Sequence, residues 1–215
     1  MRGESKSMDC SRRNFTLAMM ALVCAVGARA QDKRIPKELI PSVPVFPWLK
    51  IGETSYDAVR ATYQRMISSS SPKPWFRDGI SEITGGAYLT ISELSSQGMA
   101  GEQGLKVITT VFDAQKKAQM AIFLVDRGWN DANVNPLISR MEGRYTAYAD
   151  PIRIQDDRGE SSDFYIIFDM GRFIVEVSIP QHGTFLSVYF TTKELHRKIR
   201  IADGTYELFK KHLER

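Results

Sequence analysis

Acid–base and metal chemistry would centre on the three histidines, His182, His196 and His212. None has a second histidine or a carboxylate at a recognised ligand spacing, such as i, i+4 on one helix. They read as surface residues, His182 in a hairpin turn and the other two in basic helical segments. Serine chemistry lacks a scaffold, because no G-x-S-x-G elbow is present. Residues 70–73, Ser-Ser-Pro-Lys, formally match S-x-x-K, but that motif needs a helical turn to bring the lysine onto the serine. Pro72 disfavours helix at Ser71. Gly98, Gly101 and Gly104 lie three apart and match neither phosphate-binding pattern, so they read as an inter-strand loop. The run at residues 156–163 carries four carboxylates, yet it departs from the calcium-loop spacing and Arg158 interrupts it. Neither a metal nor a cofactor is expected. Asp126, Asp169 and Tyr145 keep open a cofactor-independent hydrolase or isomerase, which would need carboxylates converging in a deep pocket.

Contact residues are easier to nominate than catalytic ones. Trp75 and Phe76 lie in "SPKPWFRDG", and Trp129 lies in "DRGWNDAN". A large aromatic in a proline- or glycine-flanked loop is costly to leave wet. It either plugs the edge of the core or offers a platform to a partner. Trp75, Phe76 and Trp129 are therefore the candidate residues for binding a protein partner or a small ligand.

Periodicity places these residues on a frame. Residues 31–50 contain Pro36, Pro41, Pro44 and Pro47, which predicts an extended segment, with the part near Trp48 lying against the domain. Thr54 and Asp57 resemble a capping box opening a helix with Tyr56, Val59, Tyr63, Met66 and Ile67 on one face. Three strands follow, among them "LKVITTVFD" and "AQMAIFLVD". A second helix begins near Asn135-Pro136 and buries Leu137, Ile138, Met141 and Tyr145. Three more strands come next, "DFYIIFD", "RFIVEVSIP" and "TFLSVYF", joined by turns too short for anything but antiparallel pairing. A helical tail follows, with Thr191 and Glu194 as its capping pair. The predicted class is α+β: a mainly antiparallel sheet covered by two long helices, with a C-terminal helix. The order suggests a duplicated α-β-β-β unit.

The first thirty residues carry a different message. Arg12 and Arg13 precede an uncharged run, residues 17–28, which is 12 residues long. As a helix it would reach about 18 Å, short of the roughly 20 residues needed to span a bilayer. Ala28-Arg29-Ala30 fits an A-x-A cleavage site. The stretch Ser11-Arg12-Arg13-Asn14-Phe15 resembles the twin-arginine export signal, although Thr16 stands where that signal usually has Leu. The resemblance covers only this leader. It implies a bacterial chain exported folded to the periplasm, or secreted, with Arg12, Arg13, Phe15, Ala28 and Ala30 as the signal residues. The expected organisation is a cleaved signal at 1–30, a proline-rich extended segment at 31–50 and one α+β domain at 51–215.

Removing the leader changes what composition means. The whole chain has net charge +4, but residues 1–30 hold five of its 29 basic and two of its 25 acidic residues. The remaining 185 residues carry 24 basic against 23 acidic, a net of +1. That balance argues against nucleic acid, which needs an excess of cations for phosphate contacts. Both cysteines, Cys10 and Cys24, lie in the leader. The mature chain then has no thiolate nucleophile, no disulfide and no stable membrane anchor. The expected role is an exported binding or accessory protein that contacts a protein or a small ligand. Inhibition of a periplasmic enzyme is the third reading, after hydrolysis or isomerisation.

Overall fold

Pro44 and Pro47 do not keep their segment out of the core. In the computed structural model, which describes residues 36–94, 104–157 and 162–213, Val43–Phe46 (β1) and Leu49–Ile51 (β2) pair as an antiparallel hairpin. Val43, Val45, Phe46, Leu49 and Ile51 are all buried. Pro44 points outward on a two-stranded ribbon, where a missing N–H is tolerated. The packing expected near Trp48 thus begins earlier, at Val43, and the segment forms a paired hairpin rather than a single extended stretch. The signal residues Arg12, Arg13, Phe15, Ala28 and Ala30 lie outside the described residues. So do Gly98, Gly101 and the middle of the acidic run, residues 158–161.

Helix α1, Tyr56–Ser69, is capped by Ser55, whose hydroxyl accepts from the Ala58 N–H. The expected cap, Thr54, instead accepts from the Lys50 N–H at 2.8 Å and tightens the end of the hairpin. Strands Trp75–Ile80 (β3), Ala87–Ser92 (β4), Leu105–Phe112 (β5) and Ala118–Asp126 (β6) form a meander. Helix α2, Val134–Tyr145, is followed by a second meander, Pro151–Asp156 (β7), Asp163–Asp169 (β8), Phe173–Ile179 (β9) and Phe185–Thr192 (β10). The two meanders join through their last strands. One antiparallel sheet of eight results, in the order β3-β4-β5-β6-β10-β9-β8-β7. Helices Lys193–Ala202 (α3) and Tyr206–Leu213 (α4) close the chain. Thr192, one residue past the expected Thr191, caps α3.

The class is α+β with a large antiparallel sheet, as periodicity predicts. The strand count needs correction: among the described residues four strands, not three, follow each of α1 and α2. Both extra strands, β3 and β7, are the sheet's edges.

The sheet has two unlike faces. One carries Ile91, Ile108, Phe123, Phe190, Val175 and Phe168 into the main core, against α1, α2 and the β1–β2 hairpin. The hairpin sits over the join between the meanders, where Phe46 stacks on Phe123 with centroids 5.0 Å apart. Before β4, Gly86 lets the backbones meet, since a Cβ there would fall 2.2 Å from the Phe112 carbonyl oxygen.

Tyr63 of α1 is fully buried, edge-on to Trp48 and Phe76, and its hydroxyl meets Thr110 Oγ1 at 2.9 Å. Burial, against a smaller opposing effect of that hydrogen bond, pushes its pKa well above the usual tyrosine value. The unfolded chain ionises near pH 10 while the folded chain holds the proton. Tyr63 therefore adds stability below that pH and withdraws it as pH rises further. Thermal melts between about pH 9 and 11 should show a falling Tm, and Tyr63→Phe should fall less steeply. An identical slope in the two proteins would exclude this assignment.

Candidate functional site

Among the described residues, the second face of the sheet is only partly covered. Strand register lines its side chains up in rows. One row runs Trp75, Ser92, Val107, Leu124, Ser187, Ser178, Tyr165, Ile154. The next runs Arg77, Thr90, Thr109, Ile122, Tyr189, Glu176, Ile167, Ile152. Helix α4 lays Phe209 and Leu213 on Ile154, Tyr165, Ile167 and Ile174 of the C-terminal meander. Helix α3 places Leu195 and Ile199 near Tyr88, Val111, Met120, Ile122 and Tyr189 at the middle. Toward β3 the side chains stay half-exposed: Thr90, Ser92, Val107, Thr109 and Leu124. Thr90 and Thr109 share a hydroxyl hydrogen bond of 2.9 Å across β4 and β5. This open quarter is a mixed hydroxyl and aliphatic surface, suited to contact rather than proton transfer.

The aromatic candidates divide. Strand alternation sends Phe76 to the core face, half-buried against Tyr63, so it is a packing residue. Its neighbour Trp75 projects from the other face, 70% exposed, at the border of the open quarter. Trp129 is 88% exposed. It sits in a 3-10 turn, Trp129–Asp131, held by an unusual backbone: Gly128, Asn130 and Asp131 all have positive φ. Arg127 fixes this turn. Its Nε and Nη2 donate to the two Asp131 carboxylate oxygens at 2.7 and 2.9 Å, and its Nη1 donates to the Pro180 carbonyl. The hydrogen bond from Arg127, followed by its charge, holds the Asp131 pKa below the ordinary value. Strained αL residues persist where their surroundings fix them, so the indole is presented by a clamped turn. Strand β3 begins and β6 ends at the same end of the sheet, which places both tryptophans at that end. Phe185, at the start of β10 opposite Asp126, adds a third exposed ring there.

Beneath α3 lies a polar cluster that sequence reasoning missed. Glu176 of β9 is 0% exposed, His196 2% and Arg200 6%. His196 Nε2 meets Glu176 Oε2 at 2.6 Å, and Arg200 Nη2 donates to Glu176 Oε1. Arg200 Nη1 donates to Asp203 Oδ2 at 2.7 Å. The guanidinium lies over the Phe209 ring at 4.6 Å, flanked by Tyr165 and Tyr189. Burial disfavours its charge, but Glu176 and Asp203 outweigh that and raise its pKa. Burial also pushes Tyr165 up to about 12. Reading His196 as a surface residue is thus corrected. The signals were a single Glu within "RFIVEVSIP" and the i, i+4 spacing of His196 and Arg200 on one helix face. Both Glu176 oxygens are occupied, and the group binds α3 to the sheet.

The residues nominated for hydrolysis do not converge. Asp126 Oδ1 accepts from the Gly128 N–H. Asp169 accepts from the Gly171 N–H and pairs with Lys193 at 3.0 Å. Tyr145 donates to the Pro44 carbonyl at 2.8 Å. Each ties its own piece of chain. His182 is exposed in the β9–β10 turn, and His212 is half-buried on α4. Among the described residues no group of three His, Cys, Asp or Glu side chains could hold a metal ion, and no helix is long and apolar enough to cross a membrane. No family model matches the chain, and no curated protein or solved structure matches it either.

Proposed function

We propose that this chain is an exported periplasmic binding or accessory protein, and that it holds a protein partner on the open quarter of its sheet. The observation that carries the reading is the unequal cover of the second face. Helices α3 and α4 protect the C-terminal meander and the middle, while the β3–β5 side is left half-exposed beside Trp75.

The chemistry of that border suits a strand-adding partner. Strand β3 is an edge of the sheet, and among the described residues no strand pairs with its outer backbone N–H and C=O groups, which suits pairing with another chain. Trp75 stands at one end of β3 and Ile80, 77% exposed, at the other, on opposite faces. An added strand would gain main-chain hydrogen bonds from the edge and apolar contact from both residues. Arg77 and Asp78 between them set a charge pattern that a partner must match, which discourages indiscriminate pairing. Trp129 supplies a second, rigid anchor at the same sheet end.

Location and contact are tested together. In a bacterial host, the Arg12→Lys/Arg13→Lys precursor should stay in the cytoplasm while the parent chain reaches the periplasm; equal export of both would remove the twin-arginine reading. In the exported protein, a photo-crosslinking residue at Ser92 should give one discrete protein adduct, and the same residue at Gln64 on α1 should not. Equal labelling at the two positions, or none at Ser92, would contradict docking on the open quarter.

A further inference from the structure

We propose that the cleft between α3 and α4 is a binding site for a small amphiphilic carboxylate, separate from the partner surface. The cleft holds about 310 Å³, at the small end of ligand pockets, which run from roughly 300 to 1,000 Å³. Phe209 and Leu213 form an apolar floor. Lys193, Arg197 and Lys210 stand around it, with Arg200 at the back.

Charge selects the ligand's sign. The lining has four Lys or Arg side chains and a single carboxylate, Glu194, which already pairs with Lys198 at 2.9 Å. Lys193 is engaged by Asp169 and Arg200 by Glu176 and Asp203. Arg197 and Lys210 are different. They lie over the Tyr206 ring at 5.4 and 5.9 Å, and Lys210 reaches Glu207 only at 3.9 Å. Cations resting on an aromatic face keep donors for an incoming carboxylate.

A second observation lies at the back of the cleft. Arg200 Nε is buried and has no acceptor, although both Nη groups are paired. That Nε is closed off from the cleft, and both Nη groups already have carboxylate partners, so Arg200 adds buried positive charge behind the floor rather than a hydrogen bond to the ligand. The ligand is therefore an anionic head with a short apolar body: the body lies on Phe209 and Leu213, and the head lies between the exposed Arg197 and Lys210.

Calorimetric titration of the mature protein with octanoate tests this, with octanol as the uncharged match and octyltrimethylammonium as the cationic one. Octanoate should bind saturably at one site, at least about tenfold tighter than octanol, with no binding of the cation. Arg197→Ala/Lys210→Ala should weaken octanoate by about tenfold or more. Both side chains are exposed and lie outside the buried network, so the variant's Tm should match the parent's. Equal affinity for octanoate and octanol, unchanged affinity in the double variant, or binding only to phosphatidylglycerol vesicles would overturn the proposal. Loss of the partner adduct at Ser92 would not bear on this site, nor would loss of octanoate bear on the adduct.

Discussion

Glu176→Ala is expected to cost the fold about 3–5 kcal/mol, because it leaves a buried guanidinium and a buried imidazole without their carboxylate. For a chain of this size that corresponds to a Tm lower by roughly 10 °C. The magnitude follows from burial. Glu176 is completely enclosed, and both of its oxygens are used, one by His196 and one by Arg200. Removing the carboxylate strands a guanidinium that is already packed against Phe209, Tyr165 and Tyr189. Glu207→Ala removes an exposed carboxylate 3.9 Å from Lys210 and should stay within about 0.5 kcal/mol of the parent. Replacing the whole cluster, Glu176→Leu with His196→Leu and Arg200→Met, should recover much of the loss, since the desolvation cost leaves with the charges. Thermal melts of these three proteins decide it. Equal Tm for Glu176→Ala and Glu207→Ala would mean that the cluster does not hold α3 to the sheet.

The second large effect is on binding. Trp75→Ala/Trp129→Ala should weaken the complex with the protein crosslinked at Ser92 by about 30-fold or more, as expected when an interface loses central aromatic anchors worth about 2 kcal/mol or more. Its stability should barely change, because both indoles stand mostly in water. Phe76→Ala should do the reverse. Its ring packs on Tyr63 within the core, so the change should lower Tm by several degrees, with affinity at matched folded concentration nearly unchanged. Surface plasmon resonance beside melting curves separates the two. A double tryptophan variant that binds as tightly as the parent would refute the anchoring role.

How much of this was readable depends on what each segment must do. The central strands were legible because one face is buried and every second residue is apolar, as in β6, β9 and β10. Helix α1 showed its Val59 and Tyr63 stripe for the same reason. The edges were not legible. Strand β3, "WFRDGI", and strand β7, "PIRIQD", carry charges, a glycine and a proline, the features that protect an edge from unwanted pairing and erase its period-two signal. The β1–β2 hairpin was hidden by its prolines, although the apolar residues between them marked it as unlike a solvated linker. Of the three aromatics in the candidate site, Trp75 and Trp129 are exposed while Phe76 packs against the core, a division that flanking prolines and glycines alone do not signal. Single-sequence reading cannot bring Glu176 and His196 together, because twenty residues, a turn and a strand separate them.

The most direct measurement is hydrogen exchange on the complex captured at Ser92, compared with the free chain. Docking on the open quarter predicts that amides along the outer edge of β3 exchange at least about tenfold more slowly in the complex, while those of the opposite edge strand, β7, are unchanged. Unaltered exchange in β3, or protection confined to β7 and α4, would contradict it.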